Sequence, residues 1–247
     1  MQKESDFIFG MRPVIEALKA GKQLDRLLVR DGLQGALYHE LMVAVRENGI
    51  AYQVVPEERL ELLTRKNHQG VIAWLSLIEF QHVDNILPSV YEKGEDPFLI
   101  MLDGVSDVRN FGAIVRTADC MGAHAVIIPE KGSARITADA IKTSAGALHT
   151  FPVCRERSLV RTAEYLKESG LKIICADEKK GVNISTTDLT GPALIIMGSE
   201  DKGISRELLS LASEKVSIPM SGKIASLNVS VASGILLYEI VRQRSAS

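Results

Sequence analysis

The second half of the chain repeats one order of elements: an apolar strand, a polar loop and a helix. In the first instance the apolar run 98–102 leads into polar residues 103–112 and then into a helix predicted from about Ala113. An apolar run without alternation is typical of a strand buried on both faces of a parallel sheet. Later strands are predicted at 125–128, 172–176, 193–197 and 216–219, and later helices at 159–169, 206–212 and from 228. The repeated order predicts an α/β fold.

The first 80 residues alternate helices and strands on a smaller scale. Helices are predicted near 11–18, 35–48 and 56–63, and strands at 24–29, 51–55 and 71–78. This alternation predicts a small α/β domain at residues 1–80. Residues 81–96 are polar, lack periodicity and contain Pro88 and Gly94, so they are predicted to form a linker. The second domain is then expected at residues 97–247.

Composition restricts the class of protein. With 247 residues and 46% hydrophobic content, the chain can bury a sizeable core. No apolar run approaches the roughly 20 residues of a membrane span, and the first residues lack the apolar segment of a secretion signal. We therefore expect a cytoplasmic protein without a membrane partner. Cys120, Cys154 and Cys175 form no closely spaced pair and the five histidines are scattered, so no disulfide framework and no metal site is predicted.

The charge balance is close to neutral in both halves. Residues 1–90 hold 10 Lys and Arg against 12 Asp and Glu, and residues 91–247 hold 19 against 19. Proteins that bind nucleic acids usually carry a basic surface, so an RNA partner would have to bind through local clusters. The best candidate cluster consists of Arg109, Arg116, Arg135, Lys142, Arg155, Arg157 and Arg161. The alternative is a set of solvated surface charges.

Three polar or glycine-containing loops follow predicted strands, at 103–112, 198–203 and 219–228. Ligands of parallel α/β sheets bind outside the carboxyl ends of the strands, so these loops are the expected site. The third loop leads into the last helix, for which Ser226 and Asn228 are candidate N-caps. That helix is apolar on nearly every face, which predicts burial within the fold or in a subunit contact.

The three loops carry motifs in a specific order and spacing. The segments DGVSDVRNFGAIVRTA (103–118), IMGSEDKGI (196–204) and IPMSGKIASLNVSVA (218–232) resemble the three motifs of the SpoU (TrmH-type) RNA 2′-O-ribose methyltransferases. The first domain is similar to the family's substrate-binding domain through FGMRPVIEAL (9–18) and HQGVIA (68–73). The resemblance covers nearly the whole chain. It is nearest to the branch that methylates a guanosine ribose of 23S rRNA.

The resemblance implies a particular fold, cofactor and assembly. The second domain would be an α/β knot of the SPOUT type, which is a trefoil-knotted parallel sheet, and the first a small α/β domain like ribosomal protein L30e. The cofactor would be S-adenosyl-L-methionine (AdoMet), the partner RNA, and the assembly a homodimer formed through the knot domain. Two alternatives stay open: a tRNA guanosine 2′-O-methyltransferase, and a non-catalytic RNA-binding or ribosome-assembly protein of the same fold.

The resemblance also assigns site residues. Arg116 matches the family's catalytic arginine, and we favour a grip on a phosphate or on the developing alkoxide, because a guanidinium is a poor base. Asn110, Glu200, Ser226 and Asn228 match other site positions, although turn and cap roles would also suit these residue types. Candidate cofactor contacts, made largely by loop backbone, are Gly198, Ile218, Met220 and Leu227. Candidate RNA contacts are Arg109, Arg135 and Lys142.

Overall fold

The computed structural model describes residues 7–178, 180–224 and 226–245. It divides the chain into two compact units, one that ends at Glu79 and one that begins at Phe80. In the part of the chain described, no helix is long and apolar enough to cross a membrane.

The first unit contains a four-stranded mixed sheet. Its strands are β1 (Ile8–Phe9), β2 (Leu24–Arg30), β3 (Gln53–Val55) and β4 (Val71–Leu75), in the order β1-β4-β2-β3. Strand β4 is antiparallel to both neighbours, and β3 is parallel to β2. The helices are α1 (Met11–Lys19), α2 (Ala36–Glu47) and α3 (Glu57–Glu61). Helices α1 and α2 bury apolar side chains such as Val14 and Leu41 against one face of the sheet, and α3 buries Leu60 against the other.

The second unit is built on an eight-stranded sheet in which every pair is parallel. Its strands are β5 (Phe80–Gln81), β6 (Phe98–Asp103), β7 (Ala125–Pro129), β8 (Val153–Glu156), β9 (Lys172–Ala176), β10 (Val182–Asn183), β11 (Ala193–Gly198) and β12 (Glu214–Ser217). Their order is β10-β12-β9-β11-β6-β7-β8-β5. The central strands are almost completely buried, as their continuous apolar runs predict. The knot implied by the family resemblance stays a prediction.

The helices of the second unit cover both faces of the sheet. They are α4 (Val83–Glu92), α5 (Val108–Cys120), α6 (Ala138–Thr143), α7 (Leu159–Glu168), α8 (Arg206–Leu211) and α9 (Val229–Ser245). Helices α4, α7 and α8 share one apolar core with alternate residues of the central strands, such as Leu99 and Met101. Helix α5 packs against α6 and α9.

The segment predicted to be a linker is not a linker in structural terms. Within residues 81–96 lies helix α4, which buries Val83, Ile86, Leu87 and Val90 in the core of the second unit. Pro88 lies inside this helix and removes one backbone hydrogen bond. Burial of four apolar side chains offsets that loss, because each is worth on the order of 1.5–3 kcal/mol. The prediction was wrong because Pro88 was interpreted as a breaker.

Candidate active site

The carboxyl ends of the central strands lie at one edge of the parallel sheet. Gly198, the last residue of β11, is in register with Asp103, the last residue of β6. Strand β12 runs in the same direction two positions away and ends at Ser217, so the loop before α9 begins at the same edge. The three motif loops therefore emerge together, as expected for a ligand site in this class of sheet.

The first motif contributes a helix start rather than a long loop. The Asp107 carboxylate accepts hydrogen bonds from the backbone N–H groups of Arg109 (3.0 Å) and Asn110 (2.8 Å), which makes it the N-cap of α5. Helix α5 thus begins at Val108, five residues before the predicted position at Ala113. Asn110 and Gly112 consequently lie in the helix and not in a polar loop, which corrects the prediction.

The side chains of Asn110, Glu200 and Asn228 form a hydrogen-bonded group that we call the amide–carboxylate network. The Asn228 Nδ2 group donates to Glu200 Oε1 at 2.7 Å and to Asn110 Oδ1 at 3.0 Å. The Asn110 Nδ2 group also donates to Glu200 Oε1, at 3.4 Å. Each residue comes from a different motif, so the network ties the three motif loops to one another.

The same network caps the last helix. Asn228 Oδ1 accepts from the N–H groups of Ser230 (3.0 Å) and Val231 (3.4 Å), and Glu200 Oε1 accepts from the N–H of Val229 at 3.3 Å. A carboxylate at a helix N-terminus is favoured by the helix dipole. Asn228 therefore takes the predicted cap position. Ser226, the other candidate, is exposed and forms no hydrogen bond with the residues described.

Arg116 lies outside this network. It is exposed on α5, and the structure shows no hydrogen bond or ion pair between its side chain and residues 7–178, 180–224 or 226–245. Six residues separate it from Asn110, which corresponds to about 9 Å along a helix and about 240° around it. The neighbouring Thr117 packs close to Gly234 of α9. The guanidinium of Arg116 is thus presented to solvent beside the contact between α5 and α9.

The loop after β11 folds back over the end of its own strand. Ser199 pairs with Gly203 in an isolated bridge, and a β-carbon on Gly198 would collide with the backbone of Gly203. Gly198 is therefore required for this close approach. Gly112 has a related role, because a β-carbon there would collide with α6 at the Ala140 carbonyl, so this glycine serves helix packing.

The predicted cofactor residues Ile218, Met220 and Leu227 occupy the connection between β12 and α9. The predicted strand 216–219 ends earlier, at Ser217, so Ile218 belongs to this connection. Residues 219–224 form no backbone hydrogen bonds with the described part of the chain. Their N–H and C=O groups can therefore pair with the edge of an adenine, which makes the loop suitable for AdoMet.

The three predicted RNA contacts are exposed but separate. Arg109 is in the first turn of α5, Lys142 is in the last turn of α6, and Arg135 follows β7. None of the hydrogen bonds of the amide–carboxylate network described above involves these side chains. Their role in RNA binding stays a prediction.

One site residue escaped the sequence interpretation. Asp103, at the end of β6, accepts a 2.7 Å hydrogen bond through Oδ2 from the N–H of Ser205. This contact fixes the end of the loop that carries Glu200 to the neighbouring strand. A carboxylate that ends an otherwise apolar strand was the available signal.

The structure adds no evidence for metal or thiol chemistry at the site. In the ranges described, no group of three His, Cys, Asp or Glu side chains is arranged to hold a metal ion. Burial raises the pKa of both Cys154 and Cys175 to about 12. Both thiols are buried in the sheet, and neither belongs to the motif loops.

Comparison with known proteins agrees with this architecture. The SpoU rRNA methylase family model matches residues 97–238, and a model described as RNA 2′-O ribose methyltransferase substrate binding matches residues 7–81. A protein of Bacillus subtilis (strain 168), named for the TrmH family of tRNA/rRNA methyltransferases, is 34% identical over 99% of this chain and 98% of its own length. A protein of Mycobacterium avium (strain 104), named as an uncharacterized tRNA/rRNA methyltransferase, is 38% identical over 98% of this chain and 79% of its own.

Solved structures give the same result. The SpoU methyltransferase AviRb from Streptomyces viridochromogenes, in complex with AdoMet, is 26% identical with a TM-score of 0.61 and is matched over 98% of this chain and 91% of its own. The TrmH/SpoU tRNA modifying enzyme of A. aeolicus is 33% identical with a TM-score of 0.56, over 61% of this chain and 76% of its own.

Together with these matches, the parallel sheet, the three joined motif loops and the preceding unit are those of an RNA methyltransferase. The chain belongs to the SpoU rRNA methylase family. The predicted α/β class, the predicted enzyme class and the AdoMet cofactor are those of this family, and these predictions are confirmed.

Proposed function

We propose that the chain transfers a methyl group from AdoMet to the 2′-hydroxyl of a guanosine ribose in 23S rRNA. The observation that carries the proposal is the amide–carboxylate network, which joins the three motif loops at the carboxyl edge of the sheet. Ribosomal RNA is favoured over tRNA by the separate leading unit, which matches the substrate-binding model over residues 7–81. The match to the A. aeolicus tRNA enzyme covers only 61% of this chain.

The network acts on the shape of the site. Its polar atoms are paired with one another and with the first turn of α9, so Asn110, Glu200 and Asn228 hold the loops in one arrangement. A pre-arranged site lowers the entropic cost of bringing the hydroxyl into line with the methyl group. The AdoMet contacts that we assign to Gly198, Ile218, Met220 and Leu227 lie on loops held in this way. When bound, AdoMet supplies the electrophilic methyl group.

Arg116 acts on the substrate. Its exposed guanidinium can form a bidentate pair with a phosphate beside the target ribose. The same charge stabilises the 2′-oxygen as its proton passes to solvent water, which is the step in which negative charge develops. We assign to the exposed hydroxyl of Ser226 the role of orienting the ribose through a hydrogen bond. Neither side chain has a hydrogen-bond partner among the described residues that it would have to release first.

The assembly that we propose is a homodimer formed through α9. Val231, Ile235 and Tyr238 lie along one side of this helix and are 51%, 38% and 58% exposed. The opposite side, including Leu236 and Ile240, is buried in the fold. The prediction of burial on nearly every face is therefore met on one side only, and the exposed apolar side favours the predicted subunit contact. Sedimentation of the full chain as a monomer at micromolar concentration would contradict it.

The test of the function is transfer of labelled methyl from AdoMet to unmethylated 23S rRNA and, in parallel, to bulk tRNA. We expect label at a single guanosine ribose of the rRNA, and none in an Arg116→Ala control. Label in tRNA alone would replace the substrate assignment. Absence of label in both RNAs would contradict the proposal and favour the alternative of a non-catalytic RNA-binding protein.

A further inference from the structure

The carboxyl edge of the large sheet continues beyond the active-site loops. From β6 the edge passes to β7 and then to β8, where Pro129 is in register with Glu156. Neighbouring parallel strands lie about 4.8 Å apart, so the end of β8 is about 10 Å from the end of β6 along the sheet. This direction leads away from the loop between β12 and α9.

This part of the edge is lined by cations. The two segments 130–135 and 155–161 contain five basic and two acidic side chains. We call the basic residues the β7–β8 strip: Lys131, Arg135, Arg155, Arg157 and Arg161. The side chain of Arg157 is 74% exposed, and Lys131 and Arg161 are also exposed.

The two carboxylates in these segments are shielded. The side chains of Glu130 and Glu156 are only 21% and 17% exposed. Glu156 accepts a 2.9 Å hydrogen bond from the N–H of Val83, and Glu130 lies 3.6 Å from the Arg157 Nε atom. This contact offsets part of the Arg157 charge. With five basic against two acidic side chains, the two segments together still carry a net positive charge.

One segment at the opposite edge of the same sheet has the reverse balance. The connection that enters β6 carries Glu92, Glu95 and Asp96 against Lys93, and all four are exposed. This segment offers a local contrast to the two basic segments.

The strip ends where the chain enters this unit. The Arg155 guanidinium lies over the ring of Phe80, with its central carbon 3.4 Å from the ring centroid, and Phe80 is the first residue of β5 and of the second unit. The chain that precedes Phe80 is the unit that matches the substrate-binding model. Within the second unit, the strip therefore extends from the active-site edge towards β5, its first strand.

We propose that the β7–β8 strip binds the phosphate backbone of the RNA substrate next to the methylated nucleotide. This inference rests on the proposed function and adds the path of the RNA. Arg157 and Arg161 contact phosphates directly, and Arg155, which is partly buried and stacked on Phe80, marks the end of the path. Contacts of this kind set affinity and register without reading the sequence.

The test uses the full chain and unmethylated 23S rRNA. The logarithm of the RNA-binding constant falls linearly with the logarithm of the salt concentration, and each lost phosphate contact makes this slope shallower by about 0.7–0.9. The double variant Arg157→Ala/Arg161→Ala should therefore reduce the slope by about 1.4–1.8. If the RNA-binding constants of the variant and the wild type converge at 1 M salt, the affinity of the variant at 0.1 M salt is roughly 25- to 60-fold weaker. The KM for rRNA should rise in parallel, while kcat and AdoMet affinity stay unchanged.

The matched control is Lys93→Ala/Lys167→Ala, which removes the same charge at the amino edge. Arg161 and Lys167 lie in the first and last turns of the same helix, α7, so the two variants differ mainly in the edge that loses charge. If the two variants had equal salt slopes while the wild type transferred methyl groups, the proposal that the strip binds RNA would be wrong and the proposed function would stand. No RNA methylation by the wild type would overturn both.

Discussion

Residues of the same three motifs have opposite surroundings. Asn110, Glu200 and Asn228 are bonded to one another and to the start of α9, whereas Arg116 and Ser226 are exposed without a described partner. Membership in a motif therefore does not define one role. Glu200 and Asn228 are also exposed, so the difference lies in hydrogen bonding and not in exposure. We propose that the hydrogen-bonded residues maintain the arrangement of the loops and that Arg116 and Ser226 act on the substrate. Substitutions in the two groups should differ in whether stability changes together with activity.

The largest effect is expected at Arg116. Replacement by alanine removes a charged donor from the reacting oxygen and should lower kcat by about 10²–10³-fold. Because the side chain is exposed, the free energy of unfolding should stay within about 0.5 kcal/mol of the wild type. Single-turnover methyl transfer and thermal unfolding measure the two quantities.

Two further variants control this result. Arg116→Lys keeps the charge but not the planar fork, and it should recover only part of the rate. Lys93→Ala removes an exposed cation at the other edge of the sheet and should leave the rate unchanged. If the rate of the Arg116→Ala enzyme were within tenfold of the wild-type rate, the proposed difference in role between Arg116 and the hydrogen-bonded residues would be wrong.

A smaller, mixed effect is expected at Glu200. Alanine removes the acceptor used by Asn228 Nδ2 and by the N–H of Val229, and loss of a helix cap costs about 1 kcal/mol. The affinity for AdoMet should fall as well, because the loops that we assign to the cofactor lose their connection. Chemical denaturation and calorimetric titration with AdoMet measure these changes.

The Glu200→Gln variant distinguishes the effect of the hydrogen bonds of Glu200 from the effect of its charge. Its amide oxygen can still accept both hydrogen bonds, so most of the stability should return. Asp201→Ala, at the exposed neighbouring position, should change neither quantity. If Glu200→Ala lost activity with full stability and normal AdoMet affinity, Glu200 would belong with Arg116 and the distinction between the two groups would fail.

The sequence predicted the parts of the fold that depend on local patterns. Continuous apolar runs are enough to locate β6 and β11, because a strand that is buried on both faces needs apolar side chains at consecutive positions. The sequence-based prediction was wrong where one residue type is compatible with two structures. Pro88 ends most helices but is tolerated in α4, and Asp107 looks like a loop residue although it caps α5.

The candidate site could be located from motifs but not constructed from the sequence. Asn110 and Asn228 are 118 positions apart, and no periodicity relates them. Their hydrogen bond exists because parallel strands bring their carboxyl ends to one edge. The same applies to Asp103 and Ser205, 102 positions apart, a contact that no motif indicated. Long-range pairing follows from strand order, which local patterns do not encode.

The smallest expected effect concerns the cysteines and tests the contrast independently of catalysis. Cys120 is exposed, whereas burial raises the pKa of Cys154 and Cys175 to about 12. The thiolate is the reactive form, so at pH 8 only Cys120 should be labelled rapidly. The buried pair should react only when the protein opens, at a rate that reports the free energy of opening.

The labelling rate of the buried thiols should then distinguish the two groups of residues. A loss of about 1 kcal/mol in Glu200→Ala corresponds to about fivefold faster labelling, and Arg116→Ala should label at the wild-type rate. The pH dependence has a defined sign, because the folded state keeps these thiols protonated up to about pH 12 while unfolded thiols ionise near pH 8.5. Their contribution to stability is complete below that value and is lost as the pH rises towards 12. Equal acceleration in both variants would show that Arg116 also maintains the fold.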